Sequence, residues 1–108
     1  MALLYYDVIV LGGGAAGFFA AIQAKSLNPK LKIIILESAP KVLGKVKISG
    51  GGRCNAMHAC FDIDRLIEHY PRGQKALKSI FSRFGPTETK KWFLHNGVQL
   101  KTENDNRM

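Results

Sequence analysis

The stretch VIVLGGGAAGFFAAIQ, Val8 to Gln23, constrains the fold more than any other part of the chain. Val8 to Leu11 is an unbroken β-branched and aliphatic run that stops at a glycine, the pattern of a strand buried on both faces of a parallel sheet. Gly12, Gly14 and Gly17 follow as G-x-G-x-x-G. Small and apolar residues then predict a helix from about Ala15 to Leu27. Asn28-Pro29 ends that helix, because the residue before a proline is pushed out of helical conformation. Lys32 to Leu36 reads as a second buried strand, closed by Glu37 twenty residues beyond Gly17. Strand, glycine turn, helix, strand and terminal acid together predict an α/β chain built on a Rossmann-like βαβ unit.

Each part of that unit has a physical reason. Gly12 permits a tight turn, Gly14 lets a pyrophosphate approach the backbone, and Gly17 lets helix and strand pack closely. Gly13, Ala15 and Ala16 complete the loop and the first helical turn. The unpaired N–H groups and partial positive charge at the helix start would hold the phosphates. Glu37 would accept hydrogen bonds from an adenosine ribose, and its charge disfavours a ribose 2′-phosphate. That argues against NADP in this site and leaves FAD and NAD open.

A second glycine cluster, KVKISGGGRCN, spans Lys45 to Asn55. Three consecutive glycines are costly, since glycine loses more backbone freedom on folding than any other residue. Basic Lys45, Lys47 and Arg53 flank glycines able to present successive N–H groups to an anion. The segment follows the acidic strand end directly, so it should return over the carboxyl edge of the sheet, where open α/β folds bind ligands. Its glycines are expected to let the backbone pass against a large flat ligand.

GGGAAG with Glu37, then KISGGGRCN, FSRFGPTETKKWF and GVQLKTENDNRM, resemble the amino terminus of the BaiN/YhiN-type NAD(P)/FAD-dependent oxidoreductases. The likeness runs along nearly the whole chain, and SGGGRCN is its most specific part. It implies FAD as cofactor, with NAD(P)H as the accompanying electron donor. It also implies flavin-contacting roles for Ser49, Gly50, Gly51, Gly52, Arg53, Cys54 and Asn55, and a match of Lys45 to the family lysine before the string. In two places the chain departs from the family pattern. Leu43 stands where a glycine usually precedes that lysine by two residues, and Asn106 replaces the glycine of a later "GR" motif. Family members are several times longer, with an inserted substrate domain and a carboxyl-terminal return. The resemblance therefore implies that residues 1–108 are the amino-terminal part of an FAD-binding domain, with an incomplete parallel sheet and additional helices. Its substrates, small unsaturated cyclic compounds, amines or ribosomal RNA, are not selected by these residues.

The rest of the chain supplies core rather than chemistry. Helices are predicted near Asp62–Tyr70, over Gln74 to Phe84 with Leu77, Ile80, Phe81 and Phe84 at helical spacing, and from Pro86 to Gly97. Val98 to Thr102 alternates like a short strand. His58, His69 and His95 form no ligand cluster by spacing, and Cys54 and Cys60 with His58 lack the pattern of a structural zinc site, so no metal is expected. No catalytic acid or base can be assigned. The longest apolar run near the start is too short to cross a bilayer. MALLYYD lacks a basic secretory n-region, and two cysteines give no disulfide framework, so a cytoplasmic location is expected. The net charge of +8 suits phosphate-bearing ligands without choosing among them. Two other readings remain at this level: a truncated, non-catalytic remnant of such an enzyme, and a small basic nucleic-acid-binding module.

Overall fold

The computed structural model describes residues 3–108, so Met1 and Ala2 of the MALLYYD segment lie outside it. The chain forms two compact units, residues 1–54 and 55–108.

In the first unit, β1 (Val8–Leu11) and β2 (Ile33–Leu36) pair in parallel, Val8 opposite Ile33 and Leu11 opposite Leu36. Between them runs α1 (Ala15–Leu27), which packs on both strands. The ladder is extended at one end by Gly12 N–H donating to the Leu36 carbonyl at 2.7 Å. At the other end the Asp7 carboxylate accepts from the Lys32 N–H at 2.7 Å. The expectation of burial on both faces is corrected here. Val8 and Val10 are half-buried, but Ile9 and Leu11, on the opposite face, are 57% and 81% exposed. Only α1 covers this sheet among the described residues of the unit, and a strand alternates its side chains between two faces.

The second glycine cluster begins on α2 (Gly44–Gly52), whose glycines lie beyond a break in the right-handed helix. Its first turn is helical, and the path then breaks at Ser49, whose ψ of 151° is extended. Leu43, just before α2, has φ 56°, a left-handed conformation that costs a bulky L-residue energy. That is the position where the resembled family carries glycine.

The second unit contains α3 (Ile63–Glu68), α4 (Gln74–Phe81) and α5 (Pro86–His95), with α3 packed on α4. Its core includes Leu66, 2% exposed, and Met108, 5% exposed. Asp62 caps α3 by accepting from the Asp64 and Arg65 N–H groups at 3.0 and 3.2 Å. Asp62→Ala should therefore destabilise this unit by about 1 kcal/mol, read from a urea melt followed by far-ultraviolet circular dichroism. An unchanged midpoint would mean the cap contributes nothing. Pro86 opens α5, and Gly97 ends it with φ 81°. The strand expected at Val98 to Thr102 does not form, because the alternation finds no partner strand among the described residues. Instead the terminal segment folds back on residues 56–59. Met57 N–H donates to the Met108 carbonyl, Met108 N–H to that of Met57, and Ala59 N–H to that of Asn106. Asn106 makes the necessary bend with φ 62°. It too stands where the family motif has glycine, and asparagine is the non-glycine residue best suited to that conformation.

Candidate functional site

The turn between β1 and α1 is built by three glycines with three different jobs. Gly12 has φ 105°, and a side chain added there would meet nothing within 4 Å. Gly14, the N-cap of α1, likewise borders open space, and no side chain caps the helix. The N–H groups of its first turn therefore keep their bonding capacity for a ligand, in a field favouring negative charge. Ala15 and Ala16 occupy that turn and are exposed. Gly17 faces inward: a Cβ there would collide with the Gly12 carbonyl oxygen and lie 3.2 Å from Val10 Cγ1.

Gly13 is packed against its neighbours rather than open to solvent. It is buried, and its Cβ would meet Val42 Cγ1 at 2.9 Å and Glu37 Oε2 at 3.3 Å. Glu37 explains why. Its Oε2 accepts from the Gly13 N–H at 2.7 Å, and its Oε1 from the Ala39 N–H at 2.9 Å and the Ser38 hydroxyl at 3.4 Å. The bonds from Ala39 and then Gly13 hold this carboxyl below its ordinary 4.5, so it is ionised at neutral pH. Glu37 thus ties the end of β2 to the glycine turn, a role the sequence reading missed. Oε2, which accepts only from Gly13, keeps a further lone pair to offer a ribose hydroxyl.

The second cluster starts at the first. Leu43 N–H donates to the Gly13 carbonyl at 2.7 Å, which fixes the start of α2 beside the turn. Lys45 is exposed on its first turn. After Ser49, whose hydroxyl donates to the Val46 carbonyl at 2.8 Å, the glycines Gly50, Gly51 and Gly52 follow with φ of 59°, 68° and 86°. Three successive left-handed residues are affordable only as glycine, which accounts for the GGG run. Side chains at Gly51 or Gly52 would meet nothing within 4 Å, so this backbone is bare on its outer side. Arg53 is exposed, and the Cys54 N–H closes the turn on the Ser49 carbonyl at 3.0 Å. Cys54 is itself exposed, with φ 56°. Asn55 belongs to the second unit. With its amide nitrogen turned toward them, it donates to the Met57 and Met108 carbonyls at 3.1 Å each, a structural contact.

An uncapped helix start, a bare glycine turn and an acid at the end of the second parallel strand define a dinucleotide-binding Rossmann domain, and the residues present fit such a group. Comparison with known proteins agrees: residues 6–108 match the HI0933-like protein Rossmann domain. The chain belongs to that family, the flavoprotein family its motifs resemble, and forms its flavin-binding Rossmann portion. It is 29% identical, over 86% of its own length, to a 3-dehydro-bile acid delta(4,6)-reductase of Clostridium scindens, of which it covers 22%. It is 30% identical, over 88% of its length, to a 3-oxosteroid 1-dehydrogenase of Mycolicibacterium smegmatis, covering 16% of that protein. A ribosomal RNA dihydrouridine synthase of Escherichia coli is 27% identical over 73% of this chain, which covers 19% of that enzyme. The chain thus spans about a fifth of the length of these relatives. No helix among the described residues is long and apolar enough to cross a membrane.

Proposed function

We propose that this chain supplies the FAD-binding part of an oxidoreductase whose substrate is a small unsaturated cyclic compound. The three consecutive left-handed glycines, with open space around Gly51 and Gly52, on a segment whose start is bonded to the glycine turn before α1, carry this reading. In this assignment the first turn of α1 holds the pyrophosphate, and Glu37 accepts the adenosine ribose hydroxyls. Gly50 to Gly52 leave room for the flavin ring, with Lys45 and Arg53 adding positive charge. FAD, when bound, supplies the hydride chemistry, and NAD(P)H is the donor class we assign. The substrate class rests on the bile-acid and steroid names of two relatives.

Gly51→Val provides the test, with binding followed by quenching of FAD fluorescence. A β-branched residue both resists φ 68° and fills the open side of the turn. The left-handed penalty falls on the turn itself, while a side chain overpacking the ligand's space costs about 1–3 kcal/mol in the complex, so FAD affinity should fall roughly tenfold or more while the circular dichroism spectrum is kept. Affinity equal to that of the unaltered chain would remove this segment from the site. Salt-sensitive RNA binding by flavin-free protein, with no FAD binding, would favour a nucleic-acid module instead.

A further inference from the structure

Outside the glycine turns, His58, Cys60 and His69 converge in the second unit. One ligand atom from each lies within 4.8 Å of the others. The spacing along the chain, one residue and then eight, hid this arrangement; two local features create it. A tight turn, with the Cys60 N–H donating to the His58 carbonyl at 2.9 Å, brings the first two together. The single short helix α3, capped by Asp62 and pinned by buried Leu66, then delivers His69 at its carboxyl end. The two imidazole centroids are 4.5 Å apart at an interplanar angle of 58°.

We propose that His58, Cys60 and His69 form a binding site for a borderline-soft divalent cation of the zinc class. One thiolate and two imidazoles are the donors such an ion prefers over oxygen-seeking magnesium or calcium. Tetrahedral zinc with Zn–S of about 2.3 Å and Zn–N of about 2.0–2.1 Å requires ligand atoms roughly 3.3–3.6 Å apart. From a separation of up to 4.8 Å, the triad therefore has to contract by at most about 1.2–1.5 Å. Exposed His69 can make that adjustment, while His58 and Cys60 are half-buried. His58 is further fixed by its backbone bridge to Arg107. The positive charge of Arg107 is engaged by Asp105, at 2.7 and 2.6 Å, while acidic Asp62, Asp64 and Glu68 sit on or beside α3. The Cys60 thiol now donates weakly to the Asp62 carbonyl at 3.5 Å. On binding, its proton leaves to solvent and the sulfur lone pair goes to the metal. Water completes the fourth position.

Titration of the tag-free full chain with Co2+ and with Zn2+ tests the site. One equivalent of Co2+ should give a thiolate-to-cobalt charge-transfer band with tetrahedral visible absorption, and Zn2+ should displace it and raise the melting temperature. Cys60→Ser should abolish the band, whereas Cys54→Ser should leave it intact. Replacing even an outer partner of a metal ligand costs about 10- to 100-fold in affinity, so His58→Asn and His69→Asn should each lose at least about tenfold. His69→Asn alters an exposed side chain, so it carries the test even if Cys60→Ser fails to fold. Absence of the band in the unaltered chain, its loss in Cys54→Ser, or unchanged affinity in His69→Asn would each overturn the proposal.

Discussion

Gly17→Ala is expected to destabilise the first unit severely, whereas Gly14→Ala leaves it folded and damages ligand binding instead. Both glycines belong to one motif, but their surroundings differ. At Gly17 the new methyl group is driven into the Gly12 carbonyl oxygen, a backbone atom fixed by the bond between Gly12 N–H and Leu36. Relief would require α1 to move off β1. Overpacking of this kind costs typically 1–3 kcal/mol when side chains can yield, so with backbone as the obstacle about 3 kcal/mol or more is expected. Natural stabilities are only about 5–15 kcal/mol, and a small unit sits at the low end. At Gly14 the same methyl group meets nothing within 4 Å, and φ of −97° suits any L-residue. It does occupy the space where phosphate would approach the helix start. An overpacking cost of about 1–3 kcal/mol in the complex corresponds to roughly 5- to 150-fold weaker FAD. Urea denaturation and FAD titration of the two variants separate the roles. Equal stability losses would refute the division of labour.

Glu37→Ala should weaken FAD by roughly 10- to 100-fold, from loss of charge-assisted hydrogen bonds to the ribose. FMN, which lacks the adenosine ribose, should lose much less. Equal weakening of both would mean that Glu37 acts solely as the tie between β2 and the glycine turn. That tie has its own pH signature. Hydrogen bonds from Ala39 and Gly13 lower the folded-state value below the ordinary 4.5. A depressed carboxylate contributes stability that is fully present above the unfolded value and is lost as pH falls through the folded one. The stability gap between the unaltered chain and Glu37→Ala should thus be constant near neutrality and close progressively below about pH 4.5. A gap that persists at strongly acidic pH would point to a contribution independent of the charge.

The sequence by itself determined the βαβ unit, the order of its glycines, the helices near Asp62, Gln74 and Pro86, and the membership of the chain in its family. These are local matters: apolar period, proline and glycine punctuation, and motif spacing act over a few residues. Leu43 and Asn106 extend the point. The sequence marked both as departures from a glycine pattern, and both keep the left-handed backbone that glycine would have taken, at φ 56° and 62°. Only the tertiary structure decided what depends on the chain meeting itself. Ile9 and Leu11 share the apolar run of Val8 and Val10, yet they stay exposed because α1 covers one face of the sheet. Val98 to Thr102 alternates like a strand but pairs with nothing among the described residues, since a ladder needs a partner that alternation cannot supply. Glu37 carries one carboxylate whichever way it is read, and the fold spent part of its bonding on Gly13 and Ala39. His58, Cys60 and His69 have no telling spacing; a two-residue turn and one short capped helix close the gap between them. Spacing records distance along the chain, whereas a site is set by distance through space, and only folding converts one into the other.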